Sequence, residues 1–189
     1  MQIFLPENIL PHQNSLKSLG GKAFHLLKME RSGFSIPPFF VIPSETVDQL
    51  LAPVREEIES LCARSAMEAE SNFLQCSKNI GQKILSLEFS EAFKNNVLEA
   101  FTELFGENGY VAIRSSAPSE DGDKASFAGQ HNSYLYVEKE YIFQKILETI
   151  ASAWNPGVLS YRVAHNLATK NIRYAIIIQK MVVAEKSGV

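Results

Sequence analysis

The chain has 189 residues, long enough for one sizeable hydrophobic core or two small lobes. Hydrophobic residues make up 46% and charged residues 21%, which is the balance of a soluble globular protein and excludes a disordered chain. The formal net charge of -3 gives no overall attraction to nucleic acid, so any site for an anion must be local.

No membrane span or secretory leader is predicted. The aliphatic runs are far shorter than the roughly 20 residues that a spanning helix needs, and the start MQIFLPENIL lacks a basic segment and a cleavage site. Cys62 and Cys76 are too far apart for a metal knuckle or a redox pair, so we interpret them as structural thiols. These features predict a reduced, cytoplasmic protein without a nucleic-acid or membrane partner.

The first part of the chain alternates helix and strand signals. Apolar residues after Lys22 follow helical spacing and Gly33 is predicted to end the helix, so Gly20 and Gly21 fall at a helix start. The segment SIPPFFVIP favours a strand, because its prolines forbid a helix there. Ser44 is predicted to cap the helix that follows.

The remaining chain divides into a helical middle and a strand-rich second half. The pattern stays helical from about 51 to 105, where Ser90 is predicted to cap the last helix and Gly106 to end it. Three strands are predicted in the second half, at GYVAIRSS, SYLYVEK and YAIIIQKMVV. Two helices are predicted between the last two strands, the second of them around Tyr161 to Leu167. We therefore expect an α+β fold, in which a helical insertion at about 51–105 is placed in a lobe with a sheet.

The stretch GGKAF has the features of an anion site. Two glycines at a helix start leave backbone N–H groups free to approach an anion, and the helix dipole favours negative charge there. Lys22 adds a mobile positive charge. The stretch is not a Walker A loop, because Leu16 and Ala23 stand where that loop needs a glycine and a hydroxyl. On its own the pattern is more typical of a plain turn.

The stretch AIRSSAPSEDGDKASFAGQ is a stronger indication of an anion site than GGKAF. Arg114 offers a planar set of donors suited to phosphate oxygens. Gly129 permits close backbone approach, so that SFAGQ is predicted to fold over a phosphate chain as a flap. Glu120 and Asp121 either orient Arg114 or Lys124 by ion pairing or solvate the loop. Hydroxyl groups for the same anion are expected from four serines: Ser115, Ser116, Ser126 and Ser133.

The third element, IIIQKMVV, suits the base of a nucleotide. An apolar strand that breaks at Gln179, Met181 and Val182 offers an apolar wall and a backbone edge with one donor and one acceptor. A plain core strand with an exposed end is the alternative interpretation. The four histidines show no spacing suited to a metal, and no Ser/His/Asp or Cys/His nucleophile is predicted.

Together, the three stretches resemble the N-terminal ATP-binding region of the phosphoenolpyruvate synthase and pyruvate phosphate dikinase family, which includes rifampin phosphotransferases. The stretches are SLGGKAFHLLKMERSGFSIPPFFVIPSE, VAIRSSAPSEDGDKASFAGQHNSYLYV and AIIIQKMVVAEKSGV. The resemblance implies an ATP-grasp-like fold, with this chain as its first lobe. It implies phosphate contacts and a catalytic role for Lys22 and Arg114. It places a further set of residues near the flap and the adenine: Ser126, Gly129, Gln130, Ser133, Gln179, Met181 and Val182.

The family resemblance also implies what lies elsewhere in the parent protein. A second ATP lobe carrying the magnesium ligands, a phosphohistidine domain and an acceptor domain are expected outside residues 1–189, so we interpret the chain as a fragment with no metal ligands of its own. Departures from the family pattern, such as Pro118, Ser119, Gly122 and Gly157, are compatible with nucleotide binding and weaken any assignment of one acceptor.

Three functions follow from the resemblance. The first is the ATP-binding part of an enzyme that converts ATP, pyruvate and water to AMP, phosphoenolpyruvate and phosphate through a phosphohistidine. The second is part of a phosphotransferase acting on another small molecule, as rifampin phosphotransferases do. The third is a noncatalytic module that binds a nucleotide or a partner. No hydrolysis is expected from this chain alone.

Overall fold

The computed structural model describes residues 1–9, 15–67, 72–117, 121–122, 125–126, 132–165 and 172–186. The helices are α1 (Ser15–Arg31), α2 (Ser44–Leu51), α3 (Arg55–Met67), α4 (Phe73–Leu85), α5 (Glu91–Phe105), α6 (Ile142–Ser152) and α7 (Pro156–Ala164). The strands are β1 (Phe39–Ile42), β2 (Val111–Ser116), β3 (Asp121–Gly122), β4 (Ala125–Ser126), β5 (Ser133–Val137) and β6 (Ala175–Lys180).

Four of these strands form one antiparallel sheet in the order β1-β6-β2-β5. The strand β6 lies between β1 and β2, and five of its six residues are buried. A continuous aliphatic run is what a strand covered on both faces needs, and AIII supplies it. The short strands β3 and β4 pair separately as a hairpin. The predicted α+β class is confirmed.

Alternation along the strands divides the core between the two faces of the sheet. On one face α1 packs against Val41, Ala175 and Ile177 in a small apolar cluster. On the other face β1 and β6 contribute Phe40 and Ile178 to a larger cluster that includes residues of α3 to α7. Side chains of neighbouring strand residues point to opposite faces, so each strand serves both clusters.

The helical middle packs on the larger cluster. The structure places α3, α4 and α5 within the predicted range of 51–105, and their buried residues share one core with the sheet. Ser90 accepts a hydrogen bond from the Phe93 N–H at 3.3 Å, and Gly106 ends α5 with a φ of 80°. Both predicted ends of α5 are therefore confirmed.

Two predicted boundaries differ from the structure. The cap of α2 is Pro43, and Ser44 is the first helical residue. The Ser44 hydroxyl donates to the Lys17 carbonyl at 3.2 Å, so a tertiary partner replaces the predicted local one. The helix α7 begins at Pro156, earlier than the segment Tyr161 to Leu167 that the sequence indicated.

None of the helices formed by the described residues combines the length and apolar character that crossing a membrane requires.

Candidate functional site

The helix α1 is interrupted at Gly20, which joins it to the end of β2. Gly20 has a φ of 72°, and a Cβ added there would lie 2.0 Å from the Ser116 carbonyl oxygen. Residues with a side chain rarely adopt this φ, and the backbone of β2 leaves no space for one. Glycine therefore permits the close approach that sets Lys22 beside β2.

The backbone N–H groups of this helix start are largely used within the protein. Gly21 N–H donates to the Ala117 carbonyl at 3.1 Å, and Ala23 N–H donates to the Ser116 hydroxyl at 3.0 Å. The expectation of free N–H groups is wrong for these two residues, because the end of β2 accepts their hydrogen bonds. The glycine turn thus connects α1 to β2 by hydrogen bonds. An anion at this turn would contact the Lys22 side chain.

Lys22 and Arg114 lie at the same end of β2. Lys22 is half-buried and its Nζ donates to the Ser115 carbonyl at 3.4 Å. Arg114, the preceding strand residue, is half-buried between Ile177 of β6 and Ser133 of β5. Among the described residues, none forms a hydrogen bond or ion pair with the Arg114 guanidinium. Lys22 and Arg114, both predicted from the sequence, are 92 positions apart along the chain. The docking of α1 on β2 brings them together.

The four serines have different positions. Ser133 is exposed and paired with Arg114, as a residue that contacts the same ligand should be. Ser116 is fully buried and its hydroxyl is used by α1. Ser115 faces the larger cluster, and its buried hydroxyl has no hydrogen-bond partner within the described part of the chain. Ser115 and Ser116 are therefore not available to an anion, and that expectation is wrong for both.

The predicted flap falls mostly outside the described residues. Gly129 and Gln130 lie outside them, as does Glu120. The backbone of Ser126 is described and pairs with Asp121 in the β3–β4 hairpin. This hairpin lies in the chain between Arg114 and Ser133, which are themselves adjacent in the sheet. The flap remains a prediction for these residues.

The three residues predicted near the base follow one another from the sheet into the segment after β6. Gln179 is buried between Phe39 and Ala112, and its Nε2 donates to the Pro37 carbonyl at 3.3 Å. Met181 N–H donates to the Tyr110 carbonyl at 2.8 Å, so this donor is already used in the fold. Val182 lies beyond the strand and is 54% exposed. A backbone donor to a base would have to come from beyond Met181.

The pairing register places the site residues in rows on the face of the sheet that α1 covers. Arg114 and Ser133 share a row with Ile177, and Gln179 shares the next with Ala112. Two residues along a strand separate neighbouring rows by about 7 Å. Along this face of the sheet, Lys22 is followed by the row of Arg114, then by the row of Gln179, and then by Met181. Leu135 of β5 belongs to the row of Gln179. It was not predicted from the sequence, although a residue two positions after Ser133 in a strand is expected on the same face.

A cavity of about 520 Å³ lies at the opposite end of β2 from Lys22, and it is unsuited to phosphate. Its lining includes the carboxylates of Glu107, Glu138 and Glu140. The cation in it, Lys139, is paired with Glu107 at 2.6 Å. This concentration of negative charge repels a polyphosphate. This cavity therefore does not coincide with the positions of Lys22 and Arg114.

The described residues contain no apparent metal centre. No group of three or more histidine, cysteine, aspartate or glutamate side chains among them is placed to hold a metal ion. Magnesium needs an octahedron of oxygen ligands, usually including one or two carboxylates.

Comparison with known proteins connects this geometry to a family. The family model for the pyruvate phosphate dikinase AMP/ATP-binding domain matches residues 16–189. A probable phosphoenolpyruvate synthase of Archaeoglobus fulgidus is 32% identical over 183 residues, covering 94% of this chain and 24% of that protein. The phosphoenolpyruvate synthase of Aeropyrum pernix is 31% identical over 182 residues, covering 92% and 22%.

A further relative is the uncharacterized phosphotransferase YvkC of Bacillus subtilis, which is 30% identical over 179 residues, covering 94% of this chain and 19% of that protein. The chain thus spans about a quarter or less of the length of these relatives. The match of the family model includes both Lys22 and Arg114, and the relatives cover nearly the whole chain. The chain belongs to the AMP/ATP-binding domain family of the pyruvate phosphate dikinases and phosphoenolpyruvate synthases.

Proposed function

We propose that the chain binds ATP as the first lobe of an ATP-grasp-like domain. The nucleotide lies on the same face of the sheet as α1. The observation that carries the proposal is the half-buried Arg114 guanidinium, which has no partner among the described residues and lies beside Ser133. A partly desolvated guanidinium without a counter-ion favours an anionic ligand. Phosphate is the anion that the family description supports.

The proposed contacts follow the rows of the sheet. Lys22 and Arg114 neutralise the charge of the phosphates, and they hold the polyphosphate in one orientation while water is excluded by the flap. Positioning and charge neutralisation are most of what catalysis of phosphoryl transfer requires. The remaining contacts are proposed for residues of the flap and of the base end: Ser126, Gly129, Gln130, Ser133, Gln179, Met181 and Val182.

We further propose that the parent polypeptide is a dikinase-type phosphotransferase of the phosphoenolpyruvate synthase kind. In that reaction ATP, pyruvate and water give AMP, phosphoenolpyruvate and phosphate, with one phosphoryl group carried by a histidine outside the described residues. The likeness to a probable phosphoenolpyruvate synthase of Archaeoglobus and to the phosphoenolpyruvate synthase of Aeropyrum supports this acceptor. Pyruvate-dependent formation of AMP tests it, and ADP as the sole nucleotide product would contradict it. Magnesium would be held by residues other than those described here.

The test of the binding site is replacement of Arg114 by alanine in the native polypeptide at its full natural length. A charge-assisted hydrogen bond contributes about 1.5 to 3 kcal/mol, which corresponds to a loss of about tenfold or more in ATP affinity. Isothermal titration calorimetry measures this loss. Arg173→Ala is the matched control, because Arg173 is 58% exposed and pairs with Asp48. Unchanged ATP affinity in the Arg114 variant would refute the site.

A further inference from the structure

Leu135 is an exposed apolar residue at a defined place on the sheet. Ser133 pairs with Arg114, and alternation along β5 puts Leu135 on the same face as Ser133. The register leaves Leu135 and Tyr136 together opposite Ala112. Ala112 in turn pairs with Gln179. The side chain of Leu135 is 56% exposed, whereas Ala112 and Gln179 are each 8% exposed. Leu135 therefore lies at the open end of the row that contains Gln179.

An irregularity in β5 separates Leu135 from the hydrophobic core. Val111 pairs with Val137 and Arg114 pairs with Ser133, so β5 has one more residue than β2 between these two pairs. This is a β-bulge, and Tyr136 in it has a φ of 54°. Because of the extra residue, Val137 is on the core face and 5% exposed, while Leu135 stays on the face that α1 covers. The exposure of Leu135 is thus built into the strand.

The bulge places Tyr136 in an unfavourable backbone conformation. A bulky residue with positive φ is uncommon and strained. Bulges are frequent next to ligand sites, where they direct a side chain to a particular face. Here the bulge keeps Ser133 beside Arg114 and, one row further, keeps Leu135 beside Ala112. The result is an apolar surface about 7 Å from the row of the anion-binding arginine, on the side away from Lys22.

We propose that Leu135, together with Ala112, forms the apolar wall against which the purine base of ATP packs. This inference rests on the proposed ATP site and extends it to a residue outside the predicted set. The row of Arg114 and Ser133 meets the phosphates, and the next row is apolar because the Gln179 amide is turned to the Pro37 carbonyl. A flat, weakly polar base fits such a surface, and a phosphate does not.

The experiment separates base contact from phosphate contact in the native polypeptide at its full natural length. Calorimetry is run with three ligands: ATP, inorganic tripolyphosphate and adenosine. Leu135→Ala is expected to weaken ATP and adenosine by about fivefold to tenfold, because the apolar contact is lost. The same variant should leave the tripolyphosphate affinity within about twofold of wild type. Leu135→Met, which keeps an apolar side chain of similar volume, is expected to restore most of the ATP affinity.

Two other variants complete the design. Leu74→Ala is the matched control, because Leu74 is a 71% exposed leucine on α4, and it should change none of the three affinities. Arg114→Ala should weaken ATP and tripolyphosphate and spare adenosine. Wild-type ATP affinity in Leu135→Ala, or equal weakening of ATP and tripolyphosphate, would overturn the role of Leu135 and leave the ATP site standing. A wild-type protein that binds none of the three ligands would overturn both.

Discussion

Gly20 shows how one residue fixes the position of the proposed site. Its backbone approaches β2 so closely that Gly20→Ala should destabilise the fold by at least about 2 kcal/mol, from the positive φ and the clash with the Ser116 carbonyl. Chemical denaturation with urea measures this change. Gly81→Ala is the control, because a Cβ at Gly81 in α4 would meet no described atom within 4 Å.

The control variant Gly81→Ala should itself change the stability. Alanine is the better helix former, so Gly81→Ala should stabilise the protein by about 0.5 to 1 kcal/mol. A Gly20→Ala variant as stable as wild type would show that α1 does not dock on β2 as described. The sequence predicted the helix start at these glycines, but it did not show that Ser116, 93 residues from Ala23, accepts one of the N–H groups. That partner exists only in the folded chain.

The bulge in the strand β5 can be tested by substitution of Tyr136. Tyr136 has a φ of 54°, which asparagine tolerates and valine does not. Both Tyr136→Asn and Tyr136→Val lose the ring contact with Tyr110, whose centroid lies 6.2 Å away. The asparagine variant should therefore be more stable than the valine variant by about 1 kcal/mol.

This order is the reverse of strand propensity, which favours valine over asparagine. Thermal unfolding of the two variants decides between the bulge and a regular strand, and a valine variant at least as stable as the asparagine variant would exclude the bulge. The alternating residues of SYLYV predicted the strand correctly. They did not predict the bulge, because the extra residue is defined only by pairing with β2, as Val137 and Ser133 show.

At the scale of the whole molecule, the core sets how stability depends on pH. Burial, with the neighbouring Cys76 adding to it, raises the pKa of the Cys62 thiol from its ordinary value of 9.0 to about 12. Above pH 9 the unfolded chain loses this proton while the folded protein keeps it. The free energy of unfolding should therefore fall as the pH rises, by about 1.4 kcal/mol between pH 8 and pH 10 from this group.

Urea denaturation at pH 8 and pH 10 measures the effect, and Cys62→Ala should remove it. The comparison stops at pH 10, because the pKa of the fully buried Tyr174 is also raised well above its ordinary value of 10.0, and its contribution begins there. An equal loss of stability in the wild type and in Cys62→Ala would show that the thiol is not buried as described. The interpretation of the two cysteines as structural thiols is consistent with this burial.

Much of the fold followed from local pattern, and the order of the strands did not. Apolar runs and their punctuation predicted β1, β2 and β6, because burial on both faces leaves a continuous hydrophobic stretch. The arrangement β1-β6-β2-β5 depends on pairings between distant segments, for which a single sequence has no local signal. The same holds for the site. The charges of Lys22 and Arg114 were evident, whereas the roles of Ser116 and Leu135 came from the register.

The position of β6 has a consequence for how the chain folds during synthesis. An inner strand of the sheet is the last described strand in the chain, and a hydrogen bond joins Pro37 to Gln179 across 142 residues. On the ribosome β1 must wait for β6, having among the described pairings just the bridge between Phe4 and Val41. Closing so long a loop is slow. The helices α2 to α5 emerge before β6, and the apolar surface that they share with the sheet is not fully covered until β6 completes the sheet.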